Sequence, residues 1–162
     1  MFGAGLACLL LTALAGSAIA QGVVRDTVGD WQVRCDQPPG AAQEQCALMQ
    51  SVTAEDRQNV GLTVVVLKTA DNADHIMRVQ APLGVLLPAG LGLRVDDEDV
   101  GRALFVRCVL DGCIAEIYLK TEELAKLQAG SVATFIIFQT PEEGIGIPVS
   151  LAGFTEGYAQ LQ

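Results

Sequence analysis

The side chains best equipped for chemistry in this chain are Cys35, Cys46, Cys108 and Cys113, together with His75, its only histidine. A zinc site draws on several cysteine and histidine ligands, commonly in C-x-x-C pairs. No such pair occurs here and one histidine cannot complete the set, so no metal or cofactor is expected. For the same reason His75 is expected to be a polar residue at a strand start, not the base of a Ser-His-Asp or Cys-His arrangement. The cysteines would be nucleophiles only as free thiolates.

Carboxylates are the remaining chemical resource. Asp96-Asp97-Glu98-Asp99 offers oxygen ligands for a hard cation but lacks the alternating ligand spacing and bidentate Glu of an EF-hand loop, so a solvated hairpin tip is expected. Glu116 and Asp111 are the carboxylates that an acid–base hydrolase would use. That alternative requires two of them in one cleft, one with a raised pKa. No catalytic residue is assigned.

The fate of the cysteines depends on the compartment. Residues 1–20 carry no charged side chain, run through Leu9, Leu10, Leu11 and Leu14, and end Ala18-Ile19-Ala20, which has the small residues at −3 and −1 of a secretory signal peptide. Cleavage is expected before Gln21, with residues 21–162 forming one domain in the periplasm or outside the cell. A retained anchor is the competing reading, since about 20 apolar residues can just span a bilayer. Beyond Ala20 no run is long enough to cross one. In an exported chain four cysteines read as a disulfide framework, which leaves three pairings open. The local scheme, Cys35 with Cys46 and Cys108 with Cys113, is expected because each bridge would close a short polar excursion between strand-like runs.

The net charge of −9, from 19 acidic and 10 scattered basic side chains, gives no footprint for nucleic acid or an anionic membrane surface.

Short alternating runs must position these groups. Trp31, Val33 and Cys35 share one face of a half-buried strand, with Trp31 in the core. Strands are also expected at 46–52, 62–67, 76–79, 91–95, 104–108, 113–120, 131–139 and 144–151, with Asp96–Asp99 as a turn. The run Leu62–Leu67 is apolar on both faces, as suits a central strand. Pro82–Leu93, rich in Pro and Gly, reads as a crossover whose apolar part, Val85–Leu93, is expected to be buried. One short helix should start at Thr121 as its cap and stop at Gly130. The spacing of Phe154, Tyr158 and Leu161 suits a short C-terminal helical turn docking on the body. About nine short strands separated by turn signals make an all-β antiparallel sandwich.

In order along the chain stand Gly29-Asp30-Trp31-Gln32-Val33-Arg34-Cys35, Cys46-Ala47-Leu48-Met49-Gln50, Leu87-Pro88-Ala89-Gly90-Leu91-Gly92-Leu93, Cys108-Val109-Leu110-Asp111-Gly112-Cys113-Ile114-Ala115 and Pro148-Val149-Ser150-Leu151-Ala152-Gly153-Phe154-Thr155. Taken together these resemble the invasion-associated locus B family over nearly the whole chain after residue 20. The resemblance implies an exported protein with an immunoglobulin-like β-sandwich fold from an α-proteobacterial type of cell. In pathogens the family is associated with entry into host cells, notably erythrocytes, and members also occur in free-living bacteria. It supplies no catalytic motif. The expectation is therefore a non-catalytic binding or accessory protein whose partner is an unidentified protein or an envelope or host-surface component.

Overall fold

The computed structural model describes residues 22–54, 60–69 and 74–161, so the expected signal peptide lies outside the described residues. Two antiparallel sheets pack face to face. The larger has the strand order β1-β2-β3-β4-β5-β9-β8, formed by Val23–Val28, Trp31–Asp36, Gln45–Thr53, Gly61–Lys68, His75–Ala81, Gly112–Tyr118 and Phe105–Val109 respectively. The smaller has the order β11-β10-β6-β7, formed by Gly144–Ser150, Val132–Phe138, Leu91–Val95 and Glu98–Ala103. Helix α1 spans Thr121–Ala129, and a second helix, α2, spans Phe154–Tyr158.

Alternation explains the packing. The inward row of β4, Leu62, Val64 and Val66, is buried against Leu93, Phe135, Ile137 and Ile147 within one continuous core. Trp31, Val33 and Cys35 face the same core, as their spacing predicts. The chain changes sheets at the Pro82–Gly90 crossover and returns at Leu104, directly from β7 into β8, which leaves the open edges of both sheets joined there. At the opposite side β11 is an edge strand, and Pro148 within it has no N–H to offer a further strand.

One strand appears that was not expected, and two expectations change. Val23–Val28 is a strand although its side chains alternate in no buried pattern, because it is an edge strand held by its backbone pairing to β2. The acidic run is not all turn: Glu98 and Asp99 open β7, leaving Asp96 and Asp97 at the tip. Thr121 is the first helical residue rather than the cap, since Lys120 takes the extended N-cap conformation and its carbonyl accepts the Leu124 N–H at 2.9 Å.

The first hairpin and the last strand are fastened together. The Asp30 N–H donates to the Ala152 carbonyl at 3.0 Å, and Trp31 Nε1 donates to the Ser150 carbonyl at 2.9 Å. Gln50 Nε2 donates to the Asp30 carbonyl at 2.9 Å. Phe154 stands edge-on to Trp31 with ring centroids 5.3 Å apart. The backbones of Gly29 and Gly153 approach so closely that a Cβ on Gly153, whose φ is +87°, would run into the Val28 carbonyl.

Candidate interaction surface

Both disulfides follow the local scheme. Cys35 is bonded to Cys46 across the β2–β3 pair and Cys108 to Cys113 across the β8–β9 pair, so each bridge lies within a sheet. Their settings differ. Cys35 is buried and Cys46 half-buried on strands with neighbours on both sides, whereas Cys108 is exposed on the last strand of its sheet. One oxygen of Glu44 and the two sulfurs of Cys35 and Cys46 lie within 4.8 Å of one another. That is a metal-like spacing, but the sulfurs are bonded to each other and offer no thiolate. A cleft of about 640 Å³ opens beside this bridge, bordered by Pro38, Ala41 and Gln43 of the closed loop and by Met49 and Leu67 of the sheet.

The other candidate residues are dispersed. His75 begins β5 with its ring 4.6 Å from that of Tyr158. Burial first, and then the Lys68 ammonium, hold its imidazole below the ordinary 6.5, with Asp74 acting the other way. Burial also raises the Tyr158 phenol. Glu116 is the cross-strand partner of Arg78, whose Nε and Nη2 both donate to Oε1 at 2.9 and 2.7 Å. Asp111 sits in the β8–β9 turn, where its carbonyl accepts from Gln80 Nε2 at 3.0 Å. The structure therefore puts Glu116 in an ion pair with Arg78 and holds Asp111 in the turn through Gln80, so among the described residues the two carboxylates do not form a pair.

The acidic run serves three separate partners. Asp96, at φ +51°, accepts the Ser131 and Val132 N–H groups on Oδ1 at 3.1 Å each, which ties the tip to β10. Asp97 lies 3.9 Å from Arg94, and Glu98 is bonded to Lys126 at 2.6 Å. Lys126 is held more strongly protonated by Glu98, chiefly through this hydrogen bond. The run is thus an exposed hairpin tip, as expected, whose carboxylates also fasten it to β10 and α1.

What the sequence did not single out is the joined edge of β7 and β8. Among the described residues nine large apolar side chains are exposed, and six of them, Leu83, Leu87, Leu104, Val106, Val109 and Leu110, belong to this edge or to the crossover beside it. Leu104, Val106 and Leu110 are 70%, 58% and 94% exposed. Gln80, bonded to Asp111, ties the end of β5 to the β8–β9 turn three residues before Leu83, and Arg102 Nη1, donating to the Ala89 carbonyl at 2.8 Å, holds the short 3-10 turn at Leu87–Ala89 beside β7. The crossover is accordingly split, with Val85, Leu91 and Leu93 buried but Leu83 and Leu87 outside. Arg107 is the only charged side chain of β8 and has no ion pair among the described residues. Clustered apolar exposure of this kind marks interaction surfaces more often than scattered single residues do.

Known proteins of the same build place the chain. A crystal structure of invasion associated protein B from Bartonella henselae superposes with a TM-score of 0.70 at 23% identity, covering 84% of this chain and 94% of that one. Invasion protein B homologues of Brucella abortus, strain 2308 and biovar 1 strain 9-941, are each 24% identical over 143 residues, covering 86% of this chain and 79% of theirs. Residues 31–162 match the profile of the invasion associated locus B protein family, and those residues include the Trp31–Ser150 fastening, both bridges and the apolar edge. The chain belongs to the invasion associated locus B family.

Proposed function

We propose that this is an exported, non-catalytic binding or accessory protein of the bacterial envelope that docks its partner on the β7–β8 edge. The observation that carries this reading is the gathering of six exposed apolar side chains there, beside a strand that has no neighbour on its outer side among the described residues. Such an edge offers both apolar area and unpaired backbone groups to another chain. The residues an enzyme would recruit are otherwise engaged: four cysteines in bridges, His75 against Tyr158, and Glu116 with Arg78. Processing after Ala20 would deliver the protein to the periplasm or beyond, where both bridges persist. The names of its relatives support a role in invasion, and an envelope or host-surface component is the partner we propose for it.

The test is retention of envelope or host-surface proteins on the immobilised protein, compared with a Leu104→Asp, Leu110→Asp variant. Both positions are exposed, so the variant should keep its melting temperature. The expected result is a partner held by the parent protein and released by the variant. An identical set of bound proteins on the two would refute the edge as the docking surface.

A further inference from the structure

We propose that the Cys108–Cys113 bridge is a thiol–disulfide exchange site for small thiols, whereas Cys35–Cys46 is a permanent staple. The bond can be reached from one side. Cys108 is exposed on the last strand of the sheet, while Cys113 is 3% exposed and faces Ala81 of β5 across its other edge. A thiolate approaching along the S–S axis therefore meets Cys108 Sγ first. The new bond forms between the incoming sulfur and Cys108, the Cys108–Cys113 bond breaks, and Cys113 departs as a thiolate that takes a proton from water. A second equivalent of thiol then attacks the mixed disulfide, leaving two cysteine thiols and one disulfide of the small thiol, with two electrons passed to the bridge. Arg107, next in the chain and without an ion pair among the described residues, favours the approach of an anion to a protein whose net charge is −9.

The other bridge is shielded where it is not buried. Cys35 is 3% exposed, and β2 and β3 are flanked by β1 and β4, so neither strand can peel away singly. The neighbouring cleft admits small molecules, but Glu44, itself paired with Arg25, keeps a carboxylate oxygen within 4.8 Å of both sulfurs. Exchange there would bring in one thiolate, and expel another, next to that carboxylate. Opening Cys108–Cys113 has a local consequence instead. Strand β8 has five residues and a bulge at Val106, so once unbridged its end is held by few backbone bonds, and the apolar edge loosens with the redox state.

The experiment uses the folded, oxidised mature protein with reduced glutathione, quenched at intervals with N-ethylmaleimide and digested with trypsin. Cleavage after Arg34, Arg57, Arg107 and Lys120 places each cysteine pair in a peptide of its own, residues 35–57 and 108–120. The 108–120 peptide should be modified at least about tenfold faster than 35–57, with glutathione first found on Cys108 and maleimide on Cys113. Circular dichroism should show the fold intact throughout. Equal rates, earlier modification of 35–57, glutathione placed first on Cys113, or no modification of either peptide before unfolding would each overturn the proposal.

Discussion

Replacing Gly153 with alanine should destabilise the protein far more than the same change at Gly84, although both glycines have nearly the same left-handed backbone, φ +87° and +89°. A Cβ in that region costs about 1–2 kcal/mol by itself, and at Gly84 nothing lies within 4 Å of where it would stand, so that is the whole expected effect. At Gly153 the added carbon meets the Val28 carbonyl and the Gly29 N–H, both backbone, which cannot rotate away as a side chain would. Relief requires the first hairpin and the β11–α2 junction to separate. Forced overpacking of this kind costs about 1–3 kcal/mol, and the Asp30–Ala152 hydrogen bond lost with it about 1 more. The total is about 3–6 kcal/mol for Gly153→Ala, with Gly40→Ala, also at φ +87° in open space, as a second control. Urea unfolding followed by the fluorescence of Trp31, the only tryptophan and wholly buried, reports the loss directly. If Gly153→Ala fell within about 1 kcal/mol of Gly84→Ala, the close approach of the two glycines would contribute nothing beyond φ, and the reasoning would fail.

Three further outcomes are expected. Opening the larger loop should cost more: a Cys35→Ala, Cys46→Ala protein, with a separation of 11 residues, should lose about 2–5 kcal/mol in urea, and the Cys108→Ala, Cys113→Ala protein, with a separation of 5, less than that, the reverse order counting against the loop-entropy account. Because His75 is held below 6.5 in the fold, the unfolded chain binds its proton first on acidification, so stability should fall as the pH drops from about 6.5 toward the depressed folded value. His75→Gln should flatten that part of the profile without altering partner binding, and an unchanged profile would contradict the burial assigned to the ring. Intact mass of the exported protein should begin at Gln21, whereas a membrane-bound form retaining residues 1–20 would make it an anchored protein.

Where one face of a strand is buried, its period of two is written into the residue types, which is why Trp31-Val33-Cys35 could be placed in the core from the sequence alone, whereas Leu62–Leu67 is apolar on both faces and only the structure shows that Leu62, Val64 and Val66 point inward. For the cysteines the sequence left three pairings open and only favoured the local one, in which a polar loop between two strand-like runs is closed at its ends; the structure decided it. Edge strands carry no such record. Val23–Val28 and Glu98–Ala103 are held by backbone hydrogen bonds that almost any side chains permit, so the sequence marks no strand at the first and reads the second as part of a charged turn. The apolar edge shows the limit from the other direction. Leu104, Val106 and Leu110 look in sequence like the buried half of an ordinary strand, and only the topology, which carries the chain from β7 straight into the last described strand of the other sheet, leaves them facing solvent. Residue type determines how much a side chain gains by burial, but whether another surface is there to bury it is decided by the order of strands, which is a property of the whole chain.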